Sequence, residues 1–243
     1  MEVKKPNEVS SEQHTLFVKT VPESKRVVDR KHNIYQLRPK YKVFTLYIER
    51  FKELKRGLHS VFNELRQAGP DDILEMRINS GGGSVNEGLQ FYNLMREKFP
   101  KRTYAYLDNH GYSMGALLFC MADRRVVYPY SDLMFHNYSS AYNGKGHEIK
   151  SRLEHRDRLM RKFFKDMIVE KGFLSETEFD EMIIGKDFWM DAEEMCRRGI
   201  ATHVVYRHEE IKAKKYLKIL KKARKENDAT PHEETLNEEI SGE

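Results

Sequence analysis

Apolar and polar positions alternate along Lys42–Tyr47, and that alternation predicts a β-strand. Phe51, Leu54, Leu58, Val61, Phe62 and Leu65 then recur every three or four positions. That spacing makes one apolar face of a helix, and Gly69-Pro70 ends it. Ile73–Asn79 alternates again and predicts a second strand. Gly81, Gly82 and Gly83 follow, and then Leu89, Tyr92, Met95 and Phe99 at helical spacing. The glycine run therefore sits where a strand turns into a helix. Thr103–Leu107 reads as a strand, Ser113–Ala122 as a buried helix, and Val126–Tyr128 and Leu133–Phe135 as short strands. Glu148–Lys171 reads as a long, charged helix. Ser175-Glu-Thr-Glu178 has the spacing of a capping box, and Asp191-Ala-Glu-Glu194 is a similar helix start with Asp as the cap. Gly199 suits the position after a helix, and Ile200–Val205 reads as a last strand. Strands alternating with helices predict an α/β fold with a largely parallel sheet.

No sustained period runs through the residues before Tyr41, so regular structure is expected to start there. The expected organisation is a flexible N-terminal arm or removable leader over 1–40, one domain over 41–206 and a charged tail over 207–243. The chain has 243 residues, enough to bury a core without a disulfide scaffold. Its two cysteines, Cys120 and Cys196, fit no metal-ligand spacing, which excludes a zinc module and a stapled secreted mini-protein. The longest strictly apolar run, Ala116–Ala122, falls far short of the ~20 residues that span a bilayer. The N-terminal stretch has no apolar segment of the secretory kind. These features predict a cytoplasmic protein. Net charge is +5, with +7 over 207–225 cancelled by −7 over 226–243. A balance this mild gives no reason to expect a nucleic-acid or membrane partner. The basic part of the tail reads as a solvated helix with a narrow apolar strip of Tyr216, Leu217 and Leu220, neutralised by the acidic run behind it.

Three features carry candidate chemistry. Asn79-Ser-Gly-Gly-Gly-Ser84 lies at a strand end, where glycines let backbone N–H groups approach a phosphate or a tetrahedral oxyanion. It lacks the Gly-Lys-Ser/Thr ending of a P-loop. Gly111-Tyr-Ser-Met-Gly115 places Ser113, with a glycine two residues to either side, at a strand-to-helix turn, the setting of an exposed nucleophile and more commonly of a helix cap. His136 ends the short strand Leu133–Phe135, where an imidazole can take the serine proton. Asp187, in Gly185-Lys-Asp-Phe-Trp-Met190, is a candidate to orient that imidazole.

In order and local sequence the chain resembles the ClpP family, the proteolytic subunits of ATP-dependent Clp proteases. The resemblance rests on Ile78-Asn-Ser-Gly-Gly-Gly-Ser-Val85, Tyr112-Ser-Met-Gly-Ala116, Leu133-Met-Phe-His136, Lys186-Asp-Phe-Trp-Met-Asp-Ala192 and Arg198-Gly-Ile-Ala-Thr-His-Val-Val205. It covers about Tyr41 to Tyr206 and implies a ClpP/crotonase-like superhelical α/β domain. It also implies a serine endopeptidase in which Ser113 is the nucleophile, His136 the general base and acid, and Asp187 its orienting group. The backbone N–H groups of Gly83 and Met114 would form the oxyanion hole, and Gly82, Ser84, Asn137 and Ser139 would bind extended substrate. The implied partners are polypeptide substrates, further copies in heptameric, stacked rings, and a Clp-type AAA+ ATPase. No cofactor is implied, because ATP would be used only by that ATPase. The long helix would form the contact between rings, through Leu153, Leu159, Phe163, Phe164 and Met167. The chain departs from the family pattern at Gly81 (proline there), at Tyr112 (alanine there) and at Asn137-Tyr-Ser-Ser, where the family has Gln-Pro-X-Gly.

Other readings compete. An α/β-hydrolase would use Ser113, Asp187 and His203 in that order. A crotonase-fold acyl-CoA enzyme would share the oxyanion donors without the Ser/His pair. A non-catalytic ring subunit would assemble without serine reactivity, and the bulky Tyr112 motivates it.

Overall fold

The computed structural model describes residues 7–11, 14–21, 25–29, 34–37, 41–49 and 58–228. In chain order the first elements are β1 (Asn7–Ser11), β2 (His14–Val21), β3 (Lys25–Asp29), β4 (Ile34–Leu37) and β5 (Tyr41–Ile48). They are followed by α1 (Leu58–Arg66), β6 (Ile73–Ser80), α2 (Val85–Lys98), β7 (Thr103–Tyr112), α3 (Met114–Met121), β8 (Arg124–Val127) and β9 (Asp132–Phe135). The C-terminal part holds α4 (Gly146–Phe164), α5 (Glu176–Ile183), β10 (Phe188–Asp191), α6 (Ala192–Arg197), β11 (His203–Tyr206), β12 (Glu209–Lys212) and α7 (Ala213–Asp228).

The spine of the fold is the parallel run β5-β6-β7-β8-β11, with helices in the crossovers. The predicted α/β class, which the ClpP fold shares, is what the structure has. β7 is long enough to serve two neighbours. Tyr104–Leu107 pair with β8, and His110–Tyr112 pair with β9. β9 in turn pairs antiparallel with β10. The sheet thus forks at the end of β7, and the fork holds the candidate site. The core is one continuous cluster in which Leu58, Val61, Phe62 and Leu65 of α1 are buried, as their spacing predicts. The earlier part of that predicted helix, with Phe51 and Leu54, lies outside the described residues.

Two boundaries differ from the sequence reading. Regular structure does not begin at Tyr41. β2 pairs antiparallel with the whole of β5, and its Leu16 is fully buried. The reason is visible in His14–Val21: a strand covered on one face needs only one apolar side, and Leu16 and Val18 supply it between β1 and β5. Nor does the domain stop at Tyr206. β11 turns back through β12, and α7 packs onto this end with Tyr216 buried and Leu217 and Leu220 half-covered, so the apolar strip is a docking face. Its charge is met in part by the body of the protein, through an ion pair of Arg224 with Glu193. Most of the acidic run expected to neutralise it lies outside the described residues.

The long helix is two segments. α4 passes into a π turn at Lys165–Val169. Phe163, Phe164 and Met167 are buried within the chain's own core, whereas Leu153 is 46% exposed and Leu159 42%. The predicted apolar face therefore divides into an inner part and an outer part.

Ser175 and Glu178 form the predicted capping box, each side chain accepting from the other's backbone N–H. Arg198 then ties α5 to α6, donating to both Glu178 oxygens at 2.8–3.0 Å, to Glu194 at 2.6 Å and to the Phe173 carbonyl at 3.1 Å. Hydrogen bonds from Arg198, and lesser ones from Ser175, hold the Glu178 carboxyl down at about 2 against the opposing effect of burial. A depressed carboxylate pKa contributes stability above the unfolded value, near 4.5, and loses it as pH falls towards 2. Arg198→Ala is expected to cost about 1–2 kcal/mol in urea unfolding at pH 6. The gap to the native chain should narrow as the pH is taken from 5 to 2. A gap that stays constant would show that Glu178 is not the partner that matters.

Candidate active site at the sheet fork

Ser113 follows the last residue of β7 and precedes the first of α3, with φ 56° and ψ −122°. Such a conformation costs an L-residue about 1–3 kcal/mol and persists only where the surroundings enforce it. Here they do. The Ser113 N–H donates to the Met134 carbonyl of β9 at 3.0 Å, and the Ser113 carbonyl accepts from Leu117 in α3 at 3.3 Å. The serine is pinned between a strand and a helix, with its side chain half-buried at the helix N-terminus. The first N–H groups of a helix have no acceptor within the helix, so that of Met114 is an available donor.

The glycine loop is pressed against this turn. Gly82 has φ 103°, and a Cβ there would lie 2.7 Å from Ser113 Cβ, 2.9 Å from the Tyr112 carbonyl oxygen and 3.2 Å from Met114 N. Its own N–H is held by Ser80 Oγ at 3.1 Å. Gly83 follows with φ 153°. The two proposed oxyanion donors, on Gly83 and Met114, thus flank one contact between the loop and the serine turn.

His136 and Asp187 arrive on the other two strands of the fork. Phe135 pairs with Phe188, so His136 and Asp187 are the next residues beyond the paired ends of β9 and β10. The three residues thus converge at one end of β7, β9 and β10. His136 is half-buried, and its Nε2 is buried without a hydrogen-bond partner. Asp187 is exposed. Among the described residues no hydrogen bond joins Ser113 to His136 or His136 to Asp187.

The remaining sequence candidates are placed differently. Ser84 is the N-cap residue of α2 but makes no side-chain cap bond. The Asn137 amide is occupied: Nδ2 donates to the Ile183 carbonyl and Oδ1 accepts from Tyr138 N–H, both at 2.8 Å. Ser139 is exposed. His203 is nowhere near the fork. It pairs with Val126 of β8, which pairs with Tyr106, seven residues before Ser113 on β7. That is on the order of 20 Å of strand, so the Ser113–Asp187–His203 order of an α/β-hydrolase is not assembled.

The bulky Tyr112 is engaged by residues of β9 and β10. Its hydroxyl donates to Asp132 at 2.6 Å, which pushes the phenol up to about 12, and its ring lies edge-on to Trp189 at 5.1 Å. Trp189 is a site neighbour that the sequence reading did not single out. It is 58% exposed and stands two residues after Asp187, on the same side of β10. The period-two step from Asp187 was the available signal. Glu87 was also missed. It is 8% exposed in the first turn of α2, with Oε2 unpartnered, although Ser84-Val-Asn-Glu87 has capping-box spacing.

Among the described residues no group of three or more His, Cys, Asp or Glu side chains could hold a metal ion, and no helix is long and apolar enough to cross a membrane. The family model for Clp protease matches residues 30–208. The ATP-dependent Clp protease proteolytic subunit 3 of Rhodococcus jostii (strain RHA1) is 29% identical over 149 residues, which is 60% of this chain and 72% of that protein.

Proposed function

Since the chain belongs to the Clp protease family, we propose that it is a serine endopeptidase working from the fork of its sheet. Ser113 attacks a peptide carbonyl, and His136 takes its proton and passes it to the leaving amine. The N–H groups of Gly83 and Met114 hold the oxyanion, and Asp187 steadies the imidazolium. Water then releases the acyl-enzyme through the same base. The observation that carries this reading is the strained Ser113 turn, wedged between Gly82 and the Met134 carbonyl. A serine that merely capped α3 would use ordinary extended backbone and a side-chain bond, and Ser113 has neither. A crotonase-type acyl-CoA enzyme would need the oxyanion donors but no such serine.

The family also supports further copies of this chain as partners, in rings, and a Clp-type ATPase that feeds unfolded polypeptide and consumes the ATP. In that assembly the outer part of α4, with Leu153 and Leu159, would be covered by another copy. Both cysteines are buried and free, which suits a reducing compartment such as the cytoplasm.

One observation favours a second reading. The open Ser113–His136 and His136–Asp187 contacts fit a subunit that assembles without catalysing. Intact-mass measurement after a fluorophosphonate probe separates the two. One adduct is expected on the native chain and none on Ser113→Ala. An assembled native chain with no adduct, with and without a Clp-type ATPase, would overturn the catalytic reading.

A further inference from the structure

A cavity lies at the opposite ends of the two helices that frame the serine. α2 and α3 both return between parallel strands, so they run side by side in the same direction. At their N-terminal ends they touch closely, because Gly88 has no side chain and Met114 Sδ fills the space a Cβ would take. Seven residues on, the facing positions are Met95 and Met121, and neither is small. The seam opens there, about 10 Å along the helices from the serine turn.

The opening is a cavity of about 290 Å³, at the lower end of the range for small-molecule sites. Its apolar lining is Tyr92, Met95, Phe99 and Met121, and Arg96 and Lys101 stand on it. Both cations are exposed, and neither forms an ion pair among the described residues. Arg96 faces the Tyr92 ring, with its guanidinium carbon 6.0 Å from the centroid. Lys101 is held in the left-handed region, with φ 61°. The one lining carboxylate is already engaged. Asp123 Oδ2 accepts from Thr103 N–H at 3.1 Å and from Thr103 Oγ1 at 2.5 Å, closing the start of β7.

The geometry points to a binding site for a small organic anion: an apolar body of medium length in the methionine seam, with one carboxylate between Arg96 and Lys101. The apolar part of the lining, Tyr92, Met95, Phe99 and Met121, favours an anion that carries an apolar body. The two cations select against neutral and positively charged amphiphiles. The site stands apart from the fork and does not depend on whether Ser113 is catalytic.

Calorimetric titration of the full chain with octanoate, and separately with octylamine, tests this. Saturable binding of octanoate and none of octylamine is expected. Arg96→Gln and Lys101→Asn should each weaken octanoate about tenfold, since each removes one charge-assisted contact. Both positions are exposed, and Asn tolerates the left-handed backbone, so unfolding temperatures should stay unchanged. No saturable binding of octanoate, equal binding of octylamine, or full affinity in the double variant would each overturn the proposal.

Discussion

His136→Ala is expected to slow fluorophosphonate labelling of Ser113 by about 10²–10⁴-fold, the usual contribution of a positioned general base. His203→Ala should leave the rate unchanged. His136 stands at the end of β9, whose Met134 carbonyl holds the Ser113 N–H, and its Nε2 has no other partner to give up. His203 lies in β11 between β8 and β12, with Nδ1 beside Thr202 Oγ1 at 3.0 Å. Burial, and secondarily the Arg124 charge, pull its pKa down, which favours the neutral form. Neutrality alone does not make a base; reach does. Asp187→Ala should slow labelling by less than His136→Ala, because Asp187 is solvent-exposed and its charge acts through water. Loss of labelling in His203→Ala with retention in His136→Ala would overturn the assignment of the base.

The parallel core was legible in the chain because its strands and helices each keep one period. Ile73–Asn79 and the helix after the glycines differ in period, and the turn between them is marked by three glycines. His136 was legible as a candidate because it falls where a strand pattern stops, and Ser113 because Gly111-Tyr-Ser-Met-Gly115 opens an apolar helix. Their convergence was not. It depends on β7 changing partners from β8 to β9 halfway along its length, and no local pattern reports a change of neighbour. β2 was hidden because its alternation is short and lies within a polar N-terminal stretch, and its partner β5 comes twenty residues later. The reach of α7 was hidden behind its lysines, which outnumber the few side chains that dock it. Tyr112 shows the limit of reasoning from bulk alone. Its size was evident, but Asp132 and Trp189, which engage it, come from two later strands.

Gly82→Ala is expected to abolish serine labelling almost completely, a loss of about 10²–10³-fold or more, while Gly81→Ala leaves it nearly intact. The two neighbours differ in what stands behind them and in backbone conformation. A Cβ on Gly81 meets nothing within 4 Å. A Cβ on Gly82 meets Ser113 Cβ at 2.7 Å and the Tyr112 carbonyl at 2.9 Å, closer than carbon and oxygen approach without displacement. Neither contact is the free end of a flexible chain, so the loop or the serine turn must move. The backbone of Gly82, at φ 103°, is strained for alanine as well. Either movement separates the Gly83 N–H from that of Met114, and an oxyanion held by one donor instead of two loses about 3–4 kcal/mol of stabilisation. The unfolding temperature should fall in Gly82→Ala and hold in Gly81→Ala. Labelling rates measured well below both unfolding temperatures separate the loss of site geometry from the loss of fold. Equal rates in the two variants there would mean that the glycine loop does not shape the serine site.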